Sequence, residues 1–145
     1  MIKHILLPTD FAPASASALA LGVQMARAFD AQVTLFHVWE LPIYPYMDFM
    51  LNSSVIAEVE EAAIKSLSRA LEALRKDLPT AQSQLKTGLP WQGILEACDE
   101  LGVDLVVMGT HGRHGLSRLT LGSVAEKVVR LSKVPVLTVH APTEG

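Results

Sequence analysis

Between Val106 and Ser123 the chain reads VVMGTHGRHGLSRLTLGS, an apolar run followed by glycines, basic side chains and two histidines. The run Leu105 to Met108 has the character of a buried strand end. From Ser123 onward a helical pattern takes over. A strand, a glycine loop and a helix N-terminus in that order suit an anion. The first N–H groups of a helix have no partner inside it, its dipole favours negative charge there, and glycines let the backbone approach a ligand. The chemistry expected of this stretch is phosphate binding.

The spacing narrows it. Gly109, two residues, Gly112, nine residues and then Gly122-Ser123 give G-x2-G-x9-G-S. A P-loop needs a lysine in the motif, and none lies between Lys86 and Lys127. The G-x-G-x-x-G of a dinucleotide site is absent as well. Following VVMGTHGR, the G-x2-G-x9-G-S pattern resembles the ATP-binding signature of the universal stress protein family. The opening IKHILLPTDFAPAS resembles that family's first strand and turn, VTLFHV at 33–38 its second strand, and VPVLTVHAP its closing strand.

The resemblance implies an ATP-binding member of the family, with Mg2+ or Mn2+ held mainly by the phosphates. It places Pro8, Thr9 and Asp10 at the nucleoside end and the backbone of Val38 against adenine. Met108, Gly109, Gly112 and Arg113 follow along the loop, and Gly122, Ser123 and Val124 meet the terminal phosphates. Each has an ordinary alternative. Asp10 or Ser123 could simply cap a helix, and the glycines could belong to plain turns. Arg113 and Arg118 could meet phosphate or be solvated. His111 and His114 form an H-x-x-H without the further ligands that zinc requires, so no protein metal site is expected.

The elements that must position these residues can be read along the chain. Its 145 residues, half hydrophobic and 19% charged, suit a single packed domain over 1–145 rather than disorder. The net charge of −3 supplies no basic field, so nucleic acid is not an expected partner. No apolar run is long enough for a membrane span, and Ile5-Leu6-Leu7-Pro8 is too short for a signal peptide, so a cytoplasmic protein is expected. The single cysteine, Cys98, shares a helix face with Ile94 and Leu101 and reads as a buried thiol.

Strands are expected at 2–8, 31–38, 81–87, 103–108 and 134–140. Helices are expected from Pro13, from a cap at Ser53 or Ser54 towards Leu78, from Pro90 to a stop at Gly102, and over Ser123–Leu131. Residues 40–52 read as a loop, 81–87 as an edge strand, and Trp39 and Trp91 as packing residues. Strict alternation predicts an open, Rossmann-like α/β domain with a parallel sheet and helices on both faces. Of the two usual strand orders, 2-1-3-4-5 and 3-2-1-4-5, only the second brings the acidic turn at Asp10 beside the glycine loop. It is also the order the resemblance implies.

Three functions compete at this level: a nucleotide-dependent regulatory protein, a slow ATP-hydrolysing enzyme, and a dimerisation module with a vestigial pocket. The enzyme lacks parts, because no carboxylate lies between Asp104 and Glu126 to orient water. The regulatory binding protein is therefore expected. The last strand, Val134 to His140, is an apolar edge, and the family resemblance implies a homodimer through it; Pro135 lacks an N–H, so pairing is expected nearer Leu137 and Val139.

Overall fold

The structure is a computed structural model that describes residues 1–41, 53–110 and 121–141. Five strands alternate with four helices among them: β1 (His4–Pro8), α1 (Pro13–Phe29), β2 (Gln32–Trp39), α2 (Ser53–Arg75), β3 (Gln82–Thr87), α3 (Pro90–Leu101), β4 (Leu105–Gly109), α4 (Ser123–Leu131) and β5 (Val136–Val139). All pairings are parallel and the sheet runs β3-β2-β1-β4-β5, the expected order.

Consecutive strand side chains point to opposite faces, and here both faces are apolar. Ile5, Leu7, Val33, Leu35, Leu105 and Val107 meet α1 and α2 through Ala18, Ala26, Leu67 and Leu74. Leu6, Phe36, Val38, Val106 and Met108 meet α3 and α4 through Ile94, Ala97, Cys98, Ala125 and Val128. Continuous apolar runs in β1, β2 and β4 are thus the signature of strands covered twice. The polar strand β3 lies at one edge and β5 at the other.

Element ends depart from the expectations in instructive ways. Ser53 and Ser54 are the first two residues of α2, and the position before them lies outside the described residues. The same helix stops at Arg75, after which Lys76 and Asp77 donate three residues back, to Ala73 O and Leu74 O, in a tightened closing turn. Val38 is followed by one more strand residue, Trp39. Gly102 ends α3 at φ 64°, the left-handed conformation a glycine adopts at least cost. Cys98 is buried as expected, and burial pushes its thiol up to about 11.

At the far end of the sheet from the glycine loop, the Asp104 carboxylate accepts the N–H groups of Lys3 (2.8 Å) and His4 (3.0 Å), tying the start of β1 to β4. His4 adds a bond from Nδ1 to Leu101 O and another from Nε2 to Thr34 Oγ1. The two backbone donors hold the Asp104 carboxyl below its ordinary 3.8, the Lys3 N–H contributing most. A depressed folded-state value stabilises above the unfolded value and is lost as acid is added. Asp104→Asn should therefore lower stability at neutral pH, and its deficit relative to wild type should shrink as pH falls below 3.8 through the lowered folded-state value, measured by urea melts across the acid range.

Gly109 closes β4 under the first turn of α1. A Cβ there would lie 2.7 Å from the carbonyl carbon of Ala14 and 2.9 Å from the Ser15 nitrogen, both backbone atoms that cannot swing away. Helix α1 can cross the strand end only because the side chain is absent. Gly109→Ala should cost about 1–3 kcal/mol of stability in chemical denaturation, the usual range for overpacking.

Candidate functional site

Strands β1 and β4 pair only through Ile5 with Leu105 and Leu6 with Val106. Beyond that rung each turns to its other neighbour. β1 continues against β2 as far as the bond from Thr9 N–H to Phe36 O (2.8 Å), and β4 continues against β5 as far as Thr110 N–H to Val139 O (3.0 Å). A crevice opens between them at the carboxyl ends of the strands, where the chain leaves for α1 on one face and for α4 on the other. That is the topological switch point of an open parallel sheet.

The crevice holds a cavity of about 150 Å³. Phe36, Val38, Ile94 and Met108 give it an apolar floor, Pro8, Thr9, Asp10 and Ser15 a polar wall from the first turn, and Gly109, Thr110, Val124 and Ala125 the opposite wall. Pro90, at the start of α3, closes the rim. The fold brings Pro8, Thr9, Asp10, Val38, Met108, Gly109 and Val124 to this one cavity, and Gly122 and Ser123 immediately precede its wall on α4. Gly112, Arg113, Arg118, His111 and His114 lie outside the described residues.

The acidic turn is locked from within. Asp10 Oδ1 accepts the Ala12 N–H (2.9 Å) and the Ser15 hydroxyl (2.7 Å). Thr9 Oγ1 accepts the Phe11 N–H (3.0 Å), and His37 Nδ1 donates to Thr9 O (2.7 Å). Phe11 takes a positive φ of 65°, rare for a bulky residue, and its ring stacks obliquely on His37 at 4.6 Å. The cap position of α1 belongs to Ala12, which makes no side-chain cap bond. Asp10 therefore braces the turn two residues upstream and keeps its carboxylate on the cavity wall.

The backbone of β2 fixes a second feature. Phe36 O points at β1 and Trp39 O points at β3, where it accepts the Gly88 N–H. Polar groups alternate along a strand, so Val38 directs its N–H and C=O the same way as Phe36, past the last rung and into the crevice. Its side chain rests on α3 at Gly93, where a Cβ would lie 2.8 Å from Val38 Cγ2.

Helix α4 begins without a side-chain cap. Gly122 is the cap residue, in extended conformation, and Ser123 is the first helical residue, so Ser123 is not the cap. The Gly122 N–H donates to Thr110 O, and Glu126 N–H makes the first intrahelical bond, to Gly122 O. The N–H groups without an intrahelical partner are thus those of Ser123, Val124 and Ala125, and the last two of these residues line the cavity. Among the described residues no group of histidine, cysteine, aspartate or glutamate could hold a metal ion.

Several wall residues escaped the sequence reading. Phe36 and Ile94 read as core, which they also are. Ser15 lies in the first turn of the helix expected from Pro13 and carried no separate signal. Thr110 stood in plain view beside Gly109, but nothing in its type announced that it would be 1% exposed and bonded on three sides. The two tryptophans behave as expected: Trp39 is buried, and Trp91 packs on the α3–α4 side of the core with the Lys127 ammonium 5.1 Å above its ring.

Comparison with known proteins agrees with this architecture. The model of the universal stress protein family matches residues 1–140. The universal stress protein MJ0531 of Methanocaldococcus jannaschii is 31% identical over 98% of this chain and 84% of its own length. The solved structure of MJ0577 from the same organism superposes with a TM-score of 0.81 at 27% identity, covering 99% of each chain. A universal stress protein family member of Arabidopsis thaliana, solved with AMP bound, shares the fold with a TM-score of 0.71 at 17% identity, over 98% of this chain and 94% of its own. With a parallel 3-2-1-4-5 sheet and a family match over nearly its whole length, this chain belongs to the universal stress protein family.

Proposed function

We propose that the chain is an ATP-binding regulatory protein of the stress response, acting in the cytoplasm as one domain over 1–145. The observation that carries this reading is the uncapped start of α4, which opens on a crevice with an apolar floor and an acidic rim. An apolar slot suits a purine, a braced carboxylate suits ribose hydroxyls, and helix N–H groups suit phosphates. The binding of AMP by a relative of the same fold supports an adenine nucleotide as the ligand class.

Base choice follows from Val38. Its N–H can donate to a ring nitrogen of adenine while its C=O accepts from the amino group. Guanine presents the opposite pattern on that edge, so ATP should bind in preference to GTP. At the other end, Ser123, Val124 and Ala125 N–H groups and the Ser123 hydroxyl meet the phosphates, with Mg2+ or Mn2+ held mainly by phosphate oxygens and charge added by Arg113 from the loop that includes Gly112. Binding would act by altering shape or partner affinity, with hydrolysis slow at most.

The test compares ATP with adenosine. Gly122 has φ −63°, so valine can adopt its conformation, but the added side chain would stand where the backbone must approach phosphate oxygen. Gly122→Val should weaken ATP binding by about 100-fold, the loss of two charge-assisted bonds, and leave adenosine nearly unchanged. Equal ATP affinity in mutant and wild type, with folding checked by circular dichroism, would place the phosphates elsewhere and sink the reading.

A homodimer through β5 completes it. The strand is an edge and all four of its residues are only half-buried in the single chain. Pro135 O and Val139 O accept from β4, so the odd-numbered residues face inward. The backbone groups left for a partner are those of Val136 and Thr138, not of Leu137 and Val139 as the proline alone suggested. Antiparallel pairing about a two-fold axis satisfies both copies at once. Thr138→Pro deletes an outward N–H where an edge strand tolerates proline. Sedimentation should show a dimer for wild type at micromolar concentration and a folded monomer for the variant.

A further inference from the structure

Thr110 is the cavity-lining residue at which the end of β4, the end of β5 and the start of α4 meet. Its N–H donates to Val139 O at 3.0 Å, its carbonyl accepts the Gly122 N–H, and its hydroxyl lies 3.2 Å from His140 Nδ1. Strand parity puts Thr110 on the α3–α4 face with Met108, and His140 on that same face with Val136. The residue is 1% exposed and lines the cavity, whereas His140 is exposed beyond the end of β5. No ordinary packing demand explains a buried hydroxyl here, since a valine would fill the same volume. Left unpaired, that hydroxyl would be costly, and the imidazole nitrogen supplies its partner.

We infer that Thr110 and His140 are a positioning pair, in which the edge strand β5 holds the hydroxyl of Thr110 and thereby sets the height and tilt of the α4 N-terminus that receives the phosphates. The mechanism is short. The hydroxyl bond fixes the χ1 angle of Thr110 and steadies the residue between its N–H bond to Val139 O and its carbonyl bond from Gly122. The Gly122 N–H is bonded to that carbonyl, so the donors of Ser123, Val124 and Ala125 inherit its orientation. Neither Thr110 nor His140 needs to touch the nucleotide; they act through the helix start. This rests on the phosphate site proposed above for the part that concerns ATP, but the clamp itself belongs to the unliganded chain.

The experiment uses full-length protein and four substitutions. Thr110→Val and His140→Leu remove one side of the bond each, while Thr110→Ser and His140→Asn keep a hydroxyl and a polar atom near the place of Nδ1. Two quantities are read: ATP and adenosine affinity by titration, and amide hydrogen exchange at Gly122 without nucleotide. Loss of one neutral hydrogen bond should weaken ATP by about 2- to 10-fold in either removing variant, adenosine by less than twofold, and speed Gly122 exchange by a similar factor. The double variant should lose no more than the worse single, because both break one bond. The two conservative variants should restore most of each effect. ATP and adenosine weakened equally, or Gly122 exchange unchanged in Thr110→Val and His140→Leu, overturns the inference. If wild type binds no ATP, the proposed function fails on that arm alone, and Gly122 exchange still decides whether the pair clamps the helix start.

Discussion

Two parallel strands can share a ladder only while they run side by side, and β1 and β4 do so over a single pair of adjacent residues, Ile5 and Leu6 with Leu105 and Val106. The cavity of this chain follows from their parting. Each strand keeps its outer neighbour for several residues more, so the sheet remains continuous at its flanks while its centre opens. The crevice needs no scooped-out core. It is the space that remains because α1 and α4 leave on opposite faces, and its floor is the same Phe36, Val38, Ile94 and Met108 that pack the sheet.

Such an opening would close or blur if its lips were soft, and the chain stiffens both. The first lip carries no glycine, so its tight path is held instead by hydrogen bonds to side chains: Asp10 to Ala12 and Ser15, Thr9 to Phe11, and His37 to the Thr9 carbonyl. A left-handed phenylalanine is tolerable there because its N–H is bonded and its ring is stacked on His37. The second lip uses a glycine for a different purpose. Gly109 lets the first turn of α1 come within van der Waals range of the strand end, so one residue serves helix packing and site shape together.

The wall residues divide by how they act. The polar groups open to the crevice are mainly backbone: Val38 presents a donor and an acceptor because its strand outlasts its neighbour, and α4 presents donors because it begins at a glycine with no capping side chain. Side chains mostly set the positions of that backbone. Thr110 is the clearest case, since all three of its polar groups are spent on joining β5, β4 and the start of α4.

The sequence alone carried the class of fold and the strand order, and it pointed to the strand ends that line the cavity. Short, β-branched apolar runs in β1, β2 and β4 suit strands covered on both faces, the polar AQSQLKT segment belongs at an edge, and Pro13, Pro90 and Gly102 mark helix ends by fixed chemistry. Asp10 and the Gly109 segment were legible as partners because just one strand order unites them. What tertiary structure decided is which atom of each residue is available, a matter of direction rather than type. Gly122 was a phosphate donor by its place in the motif, yet its N–H is turned to Thr110 O, and the open donors begin at Ser123. Leu137 and Val139 were a pairing edge by their distance from Pro135, yet strand parity turns them inward to β4. Residue types carry periodicity and spacing, whereas the hand of a peptide plane is set by the neighbour it bonds to, and that neighbour is far away in the chain.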